Sequence, residues 1–262
     1  MGLLKGWRAT RRGGADASVE ISEQDGIRYL HLGSPTIQSG MRLSEPDELV
    51  LAYTRSMMAF LLFVAEPRRV VSVGLGGGSV NKWIYRQFPQ TEQVVLELNP
   101  RVIAVARQYF HVPPDDARLQ VMLADGARWV GEHPDSADVI LVDGYDGKSH
   151  VKELTTAAFY TAAAGSLRGE GVLVVNLWGS DRSFDECVHR IEAAFTGRVA
   201  CVPALQKGNV IVLAFKRLPA RVHWDELRVR ARLLQARYGL EFLRFVEGMK
   251  RVNPHTDKRL LI

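Results

Sequence analysis

Two aspartates, Asp143 and Asp146, stand three residues apart in Val142-Asp143-Gly144-Tyr145-Asp146. They follow the apolar run Val139-Ile140-Leu141-Val142, so they sit where a buried strand is expected to end. Paired carboxylates in such a place suit amine chemistry. An amine must lose a proton before its nitrogen can attack carbon. One carboxylate can accept that proton, while the other holds an ammonium by charge-assisted hydrogen bonds. Asp and Gly also favour solvated turns, so the pair alone leaves both readings open.

Three other strand ends carry residues of similar interest. Val70-Val71-Ser72-Val73 runs into Gly74-Leu75-Gly76-Gly77-Gly78-Ser79. Glycines there let a ligand approach the backbone as it turns into a helix. Val94-Val95-Leu96 is followed by Glu97, which can accept from both hydroxyls of a ribose or cap the next helix. Its distance from the glycine loop fits a nicotinamide cofactor or S-adenosylmethionine. Leu119 to Leu123 leads to Asp125-Gly126, where a carboxylate can accept from an adenine amino group or cap a helix. The loop, Glu97 and Asp125 together are more specific than any one of them. They favour a sulfonium nucleoside over a dinucleotide.

These residues need a frame. Strands at Val70–Val73, Val94–Leu96, Leu119–Leu123, Val139–Val142 and Val172–Val175 alternate with helices near 80–87, 100–109 and 155–167. Such alternation implies a parallel sheet with helices on both faces, and ligands bind beyond its carboxyl edge. Arg198 to Val202 and Val210 to Phe215 read as a closing antiparallel hairpin. The expected fold class is therefore α/β, a Rossmann-like sheet of the S-adenosylmethionine-methyltransferase type. Before it, residues 1–17 read as a loose segment. Val19 to Glu23 and Ile27 to Leu32 alternate around Asp25-Gly26, which gives a small β-hairpin domain over 18–45. The catalytic domain is expected over 46–262. It opens with a helix from Pro46 to Phe63 and closes with one amphipathic helix from Trp224 to Lys250.

Composition narrows the classes. The 262 residues are 47% hydrophobic and 24% charged, with a net charge of +5. The basic residues are mostly scattered, which argues against nucleic acid as a partner. No apolar run reaches membrane-spanning length, and the first residues carry no secretory-type apolar core. Cys187 and Cys201 are the two cysteines, and neither they nor the histidines show metal-ligand spacing. No metal is expected, and a reducing cytoplasm is the default compartment.

From about Val19 to Phe215, these residues in this order resemble the spermidine/spermine synthase family of aminopropyltransferases. The resemblance rests on Gln38, Asp47-Glu48, Val70 to Gly78, Leu96-Glu97-Leu98, Ala124-Asp125-Gly126, Val142 to Asp146, Leu154 to Tyr160 and Leu167 to Val175. It implies nucleoside contacts from Gln38, Gly74, Gly76, Gly77, Glu97, Asp125 and Gly126. It implies Asp143 as the base, and Asp146 with Tyr145 as acceptor contacts. It also implies decarboxylated S-adenosylmethionine as a co-substrate, no tightly bound cofactor, a small amine acceptor and a homodimer. Segment 148–150 reads as a mobile lid.

Three positions depart from the family pattern. Gly77 stands where the family has an Asp that binds the donor's ammonium. Leu51-Ala52-Tyr53 replaces Tyr-His-Glu, and Leu205 replaces a tyrosine. Losing that Asp removes attraction for the decarboxylated donor and repulsion for intact S-adenosylmethionine alike. Methyl transfer and non-catalytic nucleoside or polyamine binding are therefore carried as alternatives to aminopropyl transfer. Gln38, Tyr53 or Tyr145 can rebuild the missing contacts.

Overall fold

The computed structural model describes residues 18–144, 151–206, 208–220 and 222–262. Alternation in the N-terminal segment produces antiparallel strands β1 (Val19–Gln24) and β2 (Ile27–Leu32), joined by the two-residue turn Asp25-Gly26. A third strand, β3 (Ile37–Arg42), pairs with β2. The hairpin expected from the sequence is thus a three-stranded sheet. Its third strand was hidden because β3 buries Ser39, Gly40 and Met41 in succession rather than alternating. Leu30 and Met41 close over Phe110 of the main domain.

The helix expected from Pro46 to Phe63 is shorter. Helix α1 covers Ala52–Met57, and a 3-10 turn continues over Met58–Leu62. Side chains take the carbonyls that a longer helix would have used. Arg55 donates to the Leu49 and Val50 carbonyls at 3.1 and 2.7 Å. Lys82 donates to the Pro46 and Phe110 carbonyls at 2.6 and 2.7 Å. Burial pushes the Lys82 amine down to about 8, because a buried ammonium is poorly solvated. Lys82 thereby ties the chain before α1 to the segment that underlies the glycine loop.

The main sheet then builds by alternation. Strand β4 (Arg69–Val73), helix α2 (Ser79–Gln87), β5 (Glu92–Glu97), α3 (Pro100–Tyr109), β6 (Leu119–Leu123), α4 (Gly126–Glu132), β7 (Ala137–Val142), α5 (Ala157–Ser166) and β8 (Leu167–Trp178) follow in order. Helix α6 (Phe184–Ala194) leads to β9 (Val199–Pro203) and β10 (Asn209–Phe215). The seven strands lie in the order β6-β5-β4-β7-β8-β10-β9, with β10 antiparallel to both neighbours and the first five parallel. Successive strand residues serve opposite faces. Val70, Leu141, Val174 and Leu213 pack toward one layer, while Val71, Val142, Val175 and Val212 pack toward the other. Burial on both faces explains the near-continuous apolar runs.

The C-terminal stretch, expected as one helix, is two: α7 (Trp224–Tyr238) and α8 (Phe242–Val252). Gly239 ends α7 in the left-handed conformation, at φ 69°, which terminates a helix at little cost only for glycine. Both helices cover the apolar layer that includes Val70 and Leu213. Among the described residues, no helix is long and apolar enough to cross a membrane.

Candidate active site

The carboxyl ends of β4, β5, β6 and β7 converge because the sheet crosses over between β4 and β7. Gly74 turns the chain out of β4. It has φ 96°, and a Cβ built there would lie 2.4 Å from the Asp143 carbonyl oxygen. The glycine loop and the aspartate loop therefore touch backbone to backbone. Gly76 and Gly77 face β3, where the Gly77 N–H donates to Ser39 Oγ at 2.9 Å. The N-terminal sheet thus forms one wall of the loop, a partner the sequence did not reveal.

Glu97 closes β5. Its Oε2 accepts from the Leu75 N–H at 3.0 Å and its Oε1 from the Asn99 N–H at 2.8 Å. Burial pushes this carboxyl up, while hydrogen bonds from Leu75, Asn99, Leu98 and Gly76 hold it down. The side chain anchors the glycine loop at the end of β5. Asp125 is exposed and caps α4, accepting from the Ala127 and Arg128 N–H groups at 2.9 and 3.2 Å through Oδ1. Oδ2 makes no contact in that cap. Gly126 packs on Val73, where a Cβ would approach to 2.4 Å.

Asp143 is the half-buried carboxylate that follows β7. Desolvation pushes it up from the usual carboxylate range, opposed by hydrogen bonds from Asn176 and Tyr53. Asn176 Nδ2 donates to Asp143 Oδ1 at 2.8 Å. Tyr53, brought in by α1, has a single hydroxyl proton, which it can give to Asp143 or to the Gln38 carbonyl 2.8 Å away. Gln38 therefore reaches the site through its backbone. Tyr53, Ser72, Gly74, Asn81 and Asp143 border a cavity of about 20 Å³. That volume suits about one water, so substrates must approach from the open strand ends. Tyr145, Asp146 and segment 148–150, which the sequence suggested as a lid, lie outside the described residues.

Sequence reasoning did not anticipate Ser39, Asn176 or Phe110. Asn176 carried a readable signal, a polar residue between Val172-Leu173-Val174-Val175 and Leu177 in a buried strand. Phe110 explains the departure at Gly77. A Cβ at Gly77 would lie 2.8 Å from Phe110 Cδ1 and 3.0 Å from Ser39 Cβ. A carboxylate side chain fits there only if Phe110 and Ser39 shift. Restoring the family residue by Gly77→Asp is expected to destabilise the fold by about 1–3 kcal/mol through overpacking. Donor affinity should fall as well. Thermal melting and donor titration measure both effects, and a tighter-binding, equally stable variant would refute this account.

Comparison with known proteins bears on this geometry. The family model for the spermine/spermidine synthase domain matches residues 50–222. A polyamine aminopropyltransferase of Chromobacterium violaceum is 44% identical over 244 residues, spanning 93% of this chain and 94% of the relative. This chain belongs to the spermine/spermidine synthase family. It is an enzyme of that kind. A solved spermidine synthase in complex with the transition-state analogue AdoDATO aligns over 92% of this chain and 84% of its own, with TM-score 0.68 and 19% identity. Human methyltransferase-like protein 13, solved with SAH, covers 72% of this chain and 93% of its own, with TM-score 0.65 and 24% identity. At these identities both likenesses show the fold alone, so the second gives methyl transfer no support beyond the shared α/β frame.

Proposed function

We propose that this family member moves an aminopropyl group from decarboxylated S-adenosylmethionine to a di- or polyamine. The observation that carries the reading is Asp143, half-buried at the strand end and hydrogen-bonded by Asn176 and Tyr53. The acceptor nitrogen attacks the methylene next to the sulfonium. The new N–C bond forms as the C–S bond breaks, and methylthioadenosine leaves neutral. The proton lost by the nitrogen goes to Asp143. Once protonated, its carboxyl can donate to the Tyr53 oxygen while Tyr53 donates to the Gln38 carbonyl. Glu97 accepts from the ribose and Asp125 from adenine, while Asp146 and Tyr145 hold the acceptor. Orientation and proton removal supply most of the acceleration. A homodimer with the β1–β3 sheet as a contact follows from the family resemblance, and the two unpaired cysteines favour a cytoplasmic setting.

One observation favours a second reading. The space beside Gly77 is filled by Phe110 and Ser39, so the donor's ammonium lacks the family's carboxylate at that position. Methyl transfer from intact S-adenosylmethionine would tolerate that loss. Isothermal titration with methylthioadenosine, S-adenosylmethionine and its decarboxylated form separates the readings, together with product identification using a diamine. Aminopropyl transfer predicts preference for the decarboxylated form and release of methylthioadenosine. S-adenosylhomocysteine as product would replace it with methyl transfer. Binding without turnover would leave a nucleoside or polyamine sensor.

A further inference from the structure

The base of the proposed reaction has a neighbour that acts on it at one remove. Asn209, the first residue of β10, donates through Nδ2 to Asn176 Oδ1 at 2.9 Å. Asn176 in turn donates to Asp143 Oδ1 at 2.8 Å. Asn209 and Asn176 lie on the paired strands β10 and β8, and β7, which ends beside Asp143, pairs with β8 on its other side. The chain thus crosses three neighbouring strands at the site's edge.

A side-chain amide presents two faces of opposite character, a donor NH₂ and an acceptor oxygen. An ionised carboxylate only accepts. For Asn176 to help Asp143, its NH₂ must face the carboxylate and its oxygen must face away. Asn176 is 2% exposed, so water cannot readily satisfy an oxygen turned inward. The Asn209 NH₂ meets that oxygen and opposes a flip. The β8–β10 end is itself fixed. The Gly179 N–H donates to the Gly208 carbonyl at 2.6 Å. The Trp178 ring lies against Gly208, where a Cβ would approach it to 2.6 Å.

We propose that Asn209 is a positioning residue for the reaction: it locks the amide of Asn176 so that a hydrogen-bond donor always faces Asp143. This rests on the reading of Asp143 as the base. Among the described residues, the titratable group facing Asp143 is Tyr53, from α1; β8 presents the neutral Asn176, and the glycine loop touches the Asp143 backbone. Asp146 is the further carboxylate of the same loop. Loss of the lock frees Asn176 to turn its oxygen toward Asp143. The carboxylate then holds its proton more tightly, and the acidic limb of kcat moves to higher pH.

The test uses two full-length variants and a control. Asn209→Leu removes the donor without adding charge, and Asn209→Asp is isosteric but presents an acceptor that pulls the Asn176 NH₂ away. Expected for both is an acidic limb raised by about one pH unit in Asn209→Asp and by about half that in Asn209→Leu. Acceptor KM should change less than about twofold, because Asn209 acts on the base and not on binding. A folded Asn209→Asp with the wild-type limb overturns the proposal, as does a folded Asn209→Leu whose loss of kcat comes without a shift. Asp143→Asn is the control. Full turnover in that variant would sink the base assignment itself, whereas its loss beside unshifted Asn209 variants would sink only the relay.

Discussion

Replacing Asp143 by Asn is expected to lower kcat by about 10²–10⁴-fold, the usual contribution of a positioned general base. Methylthioadenosine should bind as before, because Glu97 and the glycine loop do not depend on the Asp143 charge. Stability should not fall. Burial raises the Asp143 carboxyl in the fold, so its ionised form is disfavoured there relative to the unfolded chain. That cost is absent below the unfolded value, grows as pH rises toward the folded value, and is fully present above it. Near neutral pH an uncharged isostere removes it, so the melting temperature of Asp143→Asn should equal or exceed wild type. For the native enzyme the same sign places the acidic limb of kcat above the ordinary carboxylate range. Calorimetry, nucleoside titration and a pH profile check these statements. Turnover within about threefold of wild type would remove Asp143 from the base role.

Gly74→Ala is expected to fail on two counts. Its φ of 96° is costly for any residue with a Cβ, and the added carbon would sit 2.4 Å from the Asp143 carbonyl oxygen and 3.1 Å from its carbon. The left-handed conformation alone costs about 1 kcal/mol. Because the clash is with backbone rather than a flexible side chain, it should cost about 1–3 kcal/mol more. Relief requires the two loops to part, which displaces Asp143 from Asn176. Activity should therefore fall well beyond the loss of folded protein. Gly239→Ala is the matched comparison, with φ 69° and nothing within 4 Å of the added Cβ. It should lose about 1 kcal/mol and keep full activity per folded molecule. Equal specific activity in both variants would show that contact between the loops does not position the base.

Much of this enzyme was legible before folding. The apolar runs fixed the five parallel strands, and the residues after them, Gly74 to Gly78, Glu97, Asp125 and Asp143, fell at one edge of the sheet. Such information is local, because a strand's period and its terminating residues are written in consecutive positions. The errors were also local patterns with distant causes. Pro46 to Leu51 lies outside α1, and its Val50 and Pro46 carbonyls accept from Arg55 and Lys82 instead. The third strand of the small sheet was missed because its residues bury against the glycine loop and α3 rather than alternating with solvent. The environment of the site was decided by tertiary packing alone. Phe110 and Ser39 fill the space beside Gly77, Tyr53 arrives from α1, and Asn209 reaches Asn176 across the β8–β10 pair. Residue order determines which groups stand at the strand ends. Only the folded chain, by removing water and bringing remote side chains within hydrogen-bond distance, decides how strongly each group holds its proton and which neighbours can reach it.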